Sequence, residues 1–407
     1  MATPHKAYDV IIAGSGFSGA AAARLLAEKG LRVLLVEQRK VLGGSMYDYD
    51  DGGILVHKYG PHIFHTNIDA VYNFLSRFTE WFDYKHKVLG SIDGRLVPIP
   101  FNFTALETLF SQRDARVIKD AIAREYGLGK KIPIMELKNN ANPLVVRFAE
   151  YIYDKVFHNY TLKQWGMPPA ALGQGVMGRV PVAASYEPCY FADKYQCMPK
   201  HGYTALISKM LEHPNIGIKT GTEFEDIVSI KGERLFYKGK PFGGIAIYTG
   251  CVDKLLNYKF GRLPYRSLKF KFETINAESY QPAAVVNYPN KHKFTRITEF
   301  SKFTKPTAGH GDTVVDPACH QTCPHDPCPR DPIKYTIIVK EYPLAHEDGM
   351  IPYYPIETEE NKALFKKYED EIKKIQGLYL LGRLAEYKYI NMDIAVHNAI
   401  SLVNNIE

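Results

Sequence analysis

Three histidines, His57, His62 and His65, fall within nine residues of the stretch HKYGPHIFHTN (57–67). Imidazoles this close can ligate a metal, pass a proton or wall a bound group. The spacing H-x4-H-x2-H has no cysteine nearby, and its nearest acid, Asp69, lies four residues beyond His65. That is a poor ligand set for zinc, so no metal is expected here. A second cluster lies in residues 304–332, where Cys319, Cys323, Cys328, His320 and His325 sit among prolines, glycines and aspartates. C-x3-C-x4-C lacks the paired C-x2-C spacing of a structural zinc site, so the segment reads as an inserted surface loop with free thiols.

A third group is GSGFSGA, with Gly14, Gly16 and Gly19, followed 18 positions after Gly19 by Glu37. Gly14 permits a tight turn, Gly16 lets a pyrophosphate approach the backbone, and Gly19 lets helix and strand pack closely. The helix start then faces the pyrophosphate with free N–H groups. Glu37 can accept from a ribose 2′-hydroxyl and would repel a phosphate there, which favours FAD or NAD over NADP. Gly43 and Gly44 follow a basic stretch just after the acid. This second glycine pair resembles the extended dinucleotide motif of FAD enzymes, so FAD is the expected cofactor.

These groups need elements to hold them. YDVIIA (8–13) is a short apolar run ending at Gly14, as in a buried parallel strand. AAAARLLAEKG reads as a helix ended by Gly30, and RVLLVE as a second strand ending at Glu37. With strand, helix and acid in place, the glycine spacing becomes a specific signal. Residues 105–155 carry helical periodicity with few glycines, while 222–300 hold short alternating strands such as SLKFKFETI. Residues 203–219 read as helix then strand, and the C-terminus as strand, glycine turn and final helix. The expected fold is α/β: a Rossmann-like FAD-binding domain with an inserted helical domain and an antiparallel β-sheet domain. The FAD domain is discontinuous, taking 1–78, 200–245 and 375–407. The helical domain takes 103–170. The sheet domain takes 79–102, 171–199 and 246–374, including the loop at 304–332.

At +7, with basic residues scattered among acids, the chain has no lysine–arginine stripe for nucleic acid. A modest positive excess suits small anionic ligands. No apolar run reaches the length of a membrane helix, so no membrane insertion is expected. Six cysteines in 407 residues do not make a disulfide framework, and a cytoplasmic location is expected.

Further segments are HKYGPHIFHTN, NYTLKQWGMPP (159–169), GRVPV…CYFADKYQCMPKHGYT (178–204), YRSLKF (265–270), FTRITEF (294–300), KEYP (340–343), IPYYPI (351–356) and LGRLAEYKY (381–389). Together with the glycine motif they resemble the bacterial UDP-galactopyranose mutase family, from residue 8 nearly to the C-terminus. The resemblance implies an isomerase that interconverts UDP-galactopyranose and UDP-galactofuranose without net redox change. Reduced FAD attacks the anomeric carbon through N5, UDP leaves, the flavin–sugar adduct opens, and the ring recloses through another hydroxyl. It also implies NADPH or NADH as external reductant and a homodimer, and the sequence itself shows no second dinucleotide motif.

The family's site carries over residue by residue. His62 and His65 are placed beside the isoalloxazine and sugar, while His57 reads equally well as a strand histidine. Tyr160 and Trp165 look like the uridine platform, with Phe157 and Thr161 nearby. Tyr190 bounds the phosphates. Arg296 and Arg383 look like diphosphate and flavin-side cations, and Tyr342 and Tyr389 like the two hydroxyl donors. Arg266 is either a further cation or a structural ion-pair partner. Phe17, Ser18, Gly60, Arg383 and Met392 join the glycines and Glu37 around the cofactor. Two positions depart from the pattern. Relatives carry R-x-P-V-R in a mobile loop, and here Arg179 is kept while Ala183 replaces the second arginine. Relatives read Y-x-D-M-D near the end, and here Asn391 replaces the first aspartate while Asp393 remains. These departures keep three other readings open: the same chemistry on a different nucleotide-sugar, an oxidoreductase of the wider FAD amine-oxidase-like group, and a non-catalytic binder.

Overall fold

The computed structural model describes residues 8–168, 181–303 and 335–406. The 304–332 loop and Arg179 lie outside them.

The strands Val10–Ala13 and Val33–Glu37 flank the helix Phe17–Glu28 as the βαβ spacing predicts. They join a five-stranded parallel sheet in the order Ile216–Thr220, Val33–Glu37, Val10–Ala13, Ile245–Tyr248, Leu378–Leu380. Side chains alternate across this sheet. Val10, Ile12, Val33, Leu35 and Ile247 pack with the helices Phe17–Glu28, Gly202–Leu211 and Met392–Asn405. Ile11, Ala13, Leu34, Val36 and Tyr248 pack on the other face with Phe224, Leu235, Tyr368 and Ile372. The boundary expected between 245 and 246 therefore falls inside a central strand. The helix Glu359–Ile372, expected with the sheet domain, packs on the parallel sheet. Binary pattern marks strands well, but it does not say which sheet receives them.

A second sheet of seven strands runs Tyr354–Pro355, Tyr265–Ile275, Thr336–Ala345, Arg296–Glu299, Val285–Asn287, Val88–Ile92, Arg95–Ile99. Its pairs are antiparallel except Val285–Asn287 beside Val88–Ile92. The helical unit has its own apolar core, centred on Ile118, Leu137, Phe148 and Ile152. Its last helices run on without a break, as Pro143–Ile152, a π-helical Tyr153–His158, and Asn159–Trp165. The short strand Val182–Ala183 pairs with Lys131–Ile132, so it belongs to this unit and not to the large sheet. Among the described residues, no helix is long and apolar enough to cross a membrane.

Candidate active site

The glycine turn makes a cradle that only glycine can form. Gly14 has φ +92°, and a Cβ there would lie 2.2 Å from Thr249 Oγ1. A Cβ on Gly19 would lie 2.0 Å from the Gly14 carbonyl, while one on Gly16 would meet nothing within 4 Å. The turn is thus closed behind and open in front. Gly16 caps the helix with no side-chain hydrogen bond, which leaves first-turn N–H groups for an anion.

Glu37 is buried, and its Oε2 accepts from Ser15 N at 2.9 Å and Ser15 Oγ at 2.7 Å, while Oε1 accepts from Arg39 N at 2.9 Å. A carboxylate has about four acceptor positions, so one remains for a ribose hydroxyl. Ser15 Oγ also accepts from Gly43 N at 3.1 Å, tying the second glycine pair to the first. Sequence reasoning passed over Ser15, which its place inside the glycine motif could have marked.

A cavity of about 1140 Å³ opens here, lined by Gly14, Gly16, Phe17, Ser18, Gly19, Glu37, Gly44, Arg383, Asn391 and Met392. Arg39, Thr249 and Tyr353 also line it and were not singled out from sequence. Gly43 and Gly60 lie outside this lining. Gly60 (φ +93°) instead brings the histidine loop against the Phe270 ring, 3.2 Å from a would-be Cβ. Asn391 caps the final helix without a side-chain bond. Asp393 Oδ2 accepts from Thr66 Oγ1 at 3.0 Å.

The three histidines have separate fates. His57 is buried flat against Phe303, at 5.7 Å and 11°, and its Nδ1 accepts from His62 N at 3.0 Å. Burial pushes its pKa down to about 4, against a smaller upward pull from Asp48. It is a structural pin. His62 is held well below the usual imidazole range, first by burial, then by His57, Arg383 and Arg296. It is neutral near pH 7, and its buried Nδ1 has no partner among the described residues. His65 stacks on Phe191 at 3.6 Å, with Nδ1 3.1 Å from Asp193 Oδ2. His86 lies beyond the same phenyl ring at 5.8 Å, and its pKa is pushed down to about 3 by burial, then by Arg296 and His65. It lies between Lys85 and Lys87 and was not singled out from sequence. Among the described residues, no three ligating side chains gather around a metal position.

Arg296 Nε donates to Glu341 Oε1 at 2.7 Å, and the Glu341 side chain is 2% exposed. The Arg296 charge acts on Tyr160, whose hydroxyl burial pushes up and the cation pulls down. Tyr354 and Tyr389 stack at 5.3 Å, with the Arg383 guanidinium 5.5 Å over the first and 4.8 Å over the second. Arg383 Nη2 donates to Ile390 O at 2.7 Å, which fixes the fork. The Trp165 ring is 5.9 Å from Tyr354. His62, Tyr160, Trp165, Arg296, Arg383 and Tyr389 therefore converge.

Tyr342 does not join them. It follows Glu341 on one strand and so points to the opposite face, where its ring meets Phe294 at 5.9 Å. The tyrosine paired with Tyr389 is Tyr354, in IPYYPI, where the quoted motif offered two tyrosines and the sequence reading chose neither. Tyr190 N donates to His86 O at 2.8 Å. Phe157 packs into the core of the helical unit, and Thr161 is buried one turn before Trp165. Ala183 is 8% exposed and stands opposite Lys131 in a two-strand ladder.

Residues 155–389 match the family described as UDP-galactopyranose mutase, and residues 12–78 match the NAD(P)-binding Rossmann-like domain. The chain is 35% identical to the UDP-galactopyranose mutase of Mycoplasma genitalium, over 96% of its own length and 93% of the relative's. It is 31% identical to the dTDP-fucopyranose mutase of Escherichia coli, over 96% of each. A crystal structure of reduced UDP-galactopyranose mutase superposes with a TM-score of 0.69 at 16% identity, covering 100% of this chain and 94% of the other.

Proposed function

The chain belongs to the UDP-galactopyranose mutase family of isomerases, and from that premise we propose that it interconverts UDP-galactopyranose and UDP-galactofuranose on bound, reduced FAD. The observation that carries this reading is Arg383. It lines the dinucleotide cavity and also lies over the Tyr354–Tyr389 pair, so one fixed cation borders both cofactor space and nucleotide space. The cradle suits FAD: its open side at Gly16, the bare helix start and the remaining acceptor position of Glu37 fit pyrophosphate and ribose.

When bound and reduced, FAD supplies a nucleophile at N5 without net redox change. The chain's own groups do the rest. Tyr160 and Trp165 stack on uracil. Arg296 and Arg383, each already hydrogen-bonded, neutralise the diphosphate without reorganising. Tyr354 and Tyr389 donate hydroxyls to it. His62, kept neutral, exchanges a hydrogen bond at the flavin edge; it is not an acid at pH 7. NADPH or NADH is the outside reductant, the working form is a homodimer, and the compartment is the cytoplasm.

The test is conversion of UDP-galactofuranose by dithionite-reduced enzyme under anaerobic conditions, with an oxidised control. Conversion in both samples, or in neither, defeats the reading. A second reading, the same ring contraction on another nucleotide-sugar, is favoured by the dTDP-fucopyranose mutase relative and by Ala183 and Asn391. Faster turnover on a dTDP-sugar than on UDP-galactose would select it.

A further inference from the structure

Among the described residues Arg266 is a charge without a counter-charge. It lies on the strand Tyr265–Ile275, is 8% exposed, and only burial shifts its pKa, downward. Its Nε donates to Gln164 O at 2.9 Å and its Nη2 to Lys163 O at 3.4 Å. Those carbonyls close the last turn of Asn159–Trp165, where a helical run begun at Pro143 ends. Unpaired carbonyls and a partial negative charge collect at such an end, so the guanidinium is answered by the helix itself.

The fit is close. Gly166 ends the helix at φ +70°, and a Cβ there would lie 2.9 Å from Arg266 Nη1. Arg266 stands opposite Tyr354 in the strand ladder, and Tyr354 meets the Trp165 ring. Arg266 also lines the dinucleotide cavity. One side chain thus touches the helix that carries Tyr160 and Trp165 and the wall of the cofactor space.

We propose that Arg266 is a positioning residue of the mutase site, clamping the end of the Tyr160–Trp165 helix to the cofactor wall. This rests on the nucleotide-binding reading of that helix. The clamp holds Trp165 where uracil must stack; without it the platform drifts from the arginines that hold the diphosphate.

Trp165 is one of two tryptophans, so a Trp81→Phe parent makes its fluorescence a direct report. Holoenzymes carrying Arg266→Met, Arg266→Lys and Gly166→Ala in that parent would be titrated with UDP, with flavin content measured alongside. Arg266→Met should weaken UDP binding roughly tenfold, the scale of a lost charge-assisted bond. Arg266→Lys should restore most of it, and Gly166→Ala, which crowds the guanidinium and also strains a φ +70° backbone, should weaken binding at least as much as Met. Flavin content should hold throughout, and KM should rise more than kcat falls. UDP affinity in Arg266→Met within about twofold of the parent, or no recovery with Lys, overturns the proposal. Should the Met variant lose flavin, Arg266→Gln takes its place under the same criterion, and affinity within about twofold of the parent there overturns the proposal. Binding is read without turnover, so a parent that binds UDP but converts no UDP-galactofuranose fails the mutase reading and leaves Arg266 tested. A parent that does not bind UDP sinks both.

Discussion

The two halves of the site are made of different material. The cofactor cradle is backbone: Gly14 and Gly19 without room for a Cβ, Gly16 open in front, a bare helix start, and one carboxylate held by three donors. The nucleotide half is side chains drawn from five distant segments, with charges balanced through space and, among the described residues, a buried nitrogen, His62 Nδ1, left without a partner. A backbone site is rigid and intolerant. A side-chain site can be retuned one residue at a time, and of the two departures from the family pattern Asn391 borders the cofactor cavity while Ala183 sits in the ladder of the helical unit.

The sharpest way to break this contrast is Gly19→Val. A Cβ 2.0 Å from the Gly14 carbonyl cannot be housed without moving strand or helix, so the purified protein should carry no flavin absorbance and no activity. Next is Arg296→Met. It leaves the buried Glu341 carboxylate without its partner and, with the Arg296 side chain itself 27% exposed, should cost about 3 kcal/mol in urea unfolding, the low end for a buried pair, with turnover lost as well. A loss as small as a surface pair's would refute the buried-pair account.

Third is acid. The folded pKa of His57, about 4, lies below its ordinary 6.5, so the fold prefers the neutral ring. That contribution is complete above pH 6.5 and drains away as pH falls toward 4, by about 3 kcal/mol at 1.36 per pH unit. His57→Gln should flatten that part of the stability profile. Fourth, Ala183→Arg should tighten UDP about tenfold, the lower end of a charge-assisted bond, with Lys131 opposite it opposing the gain. Unchanged affinity and turnover would remove position 183 from the account. The smallest effect belongs to Asp348→Asn. Its pair with Arg262 at 2.6 Å is exposed and screened by solvent, and the urea midpoint should not move measurably.

Legibility follows the same division. Gly14, Gly16, Gly19 and Glu37 are readable because backbone demands leave residue types at fixed spacing. The elements around them follow from apolar period, and the long strands and helices stand where that period places them. Tyr354 is not readable in that way: IPYYPI offers two tyrosines, and only the strand pairing shows which one meets Tyr389. Tyr342 misleads because a one-residue step along a strand reverses the face. His86 is hidden by flanking lysines, since its burial comes from Phe191 and Phe303, more than 100 residues away. Arg266 is undecidable from sequence because its partners are main-chain carbonyls, which every residue has.

The order of strands in the parallel sheet carries a consequence for synthesis. The cradle is encoded in the first 44 residues, yet its sheet is completed by Ile245–Tyr248 and Leu378–Leu380, and its first helix is covered by Met392–Asn405. A nascent chain emerging from the ribosome therefore presents an early strand pair open on both edges until Ile216–Thr220 and Ile245–Tyr248 are made, and the far edge of the sheet stays unfilled until Leu378–Leu380. Cofactor capture must wait for chain release, and ribosome-bound chains stalled before residue 378 should remain flavin-free and protease-sensitive.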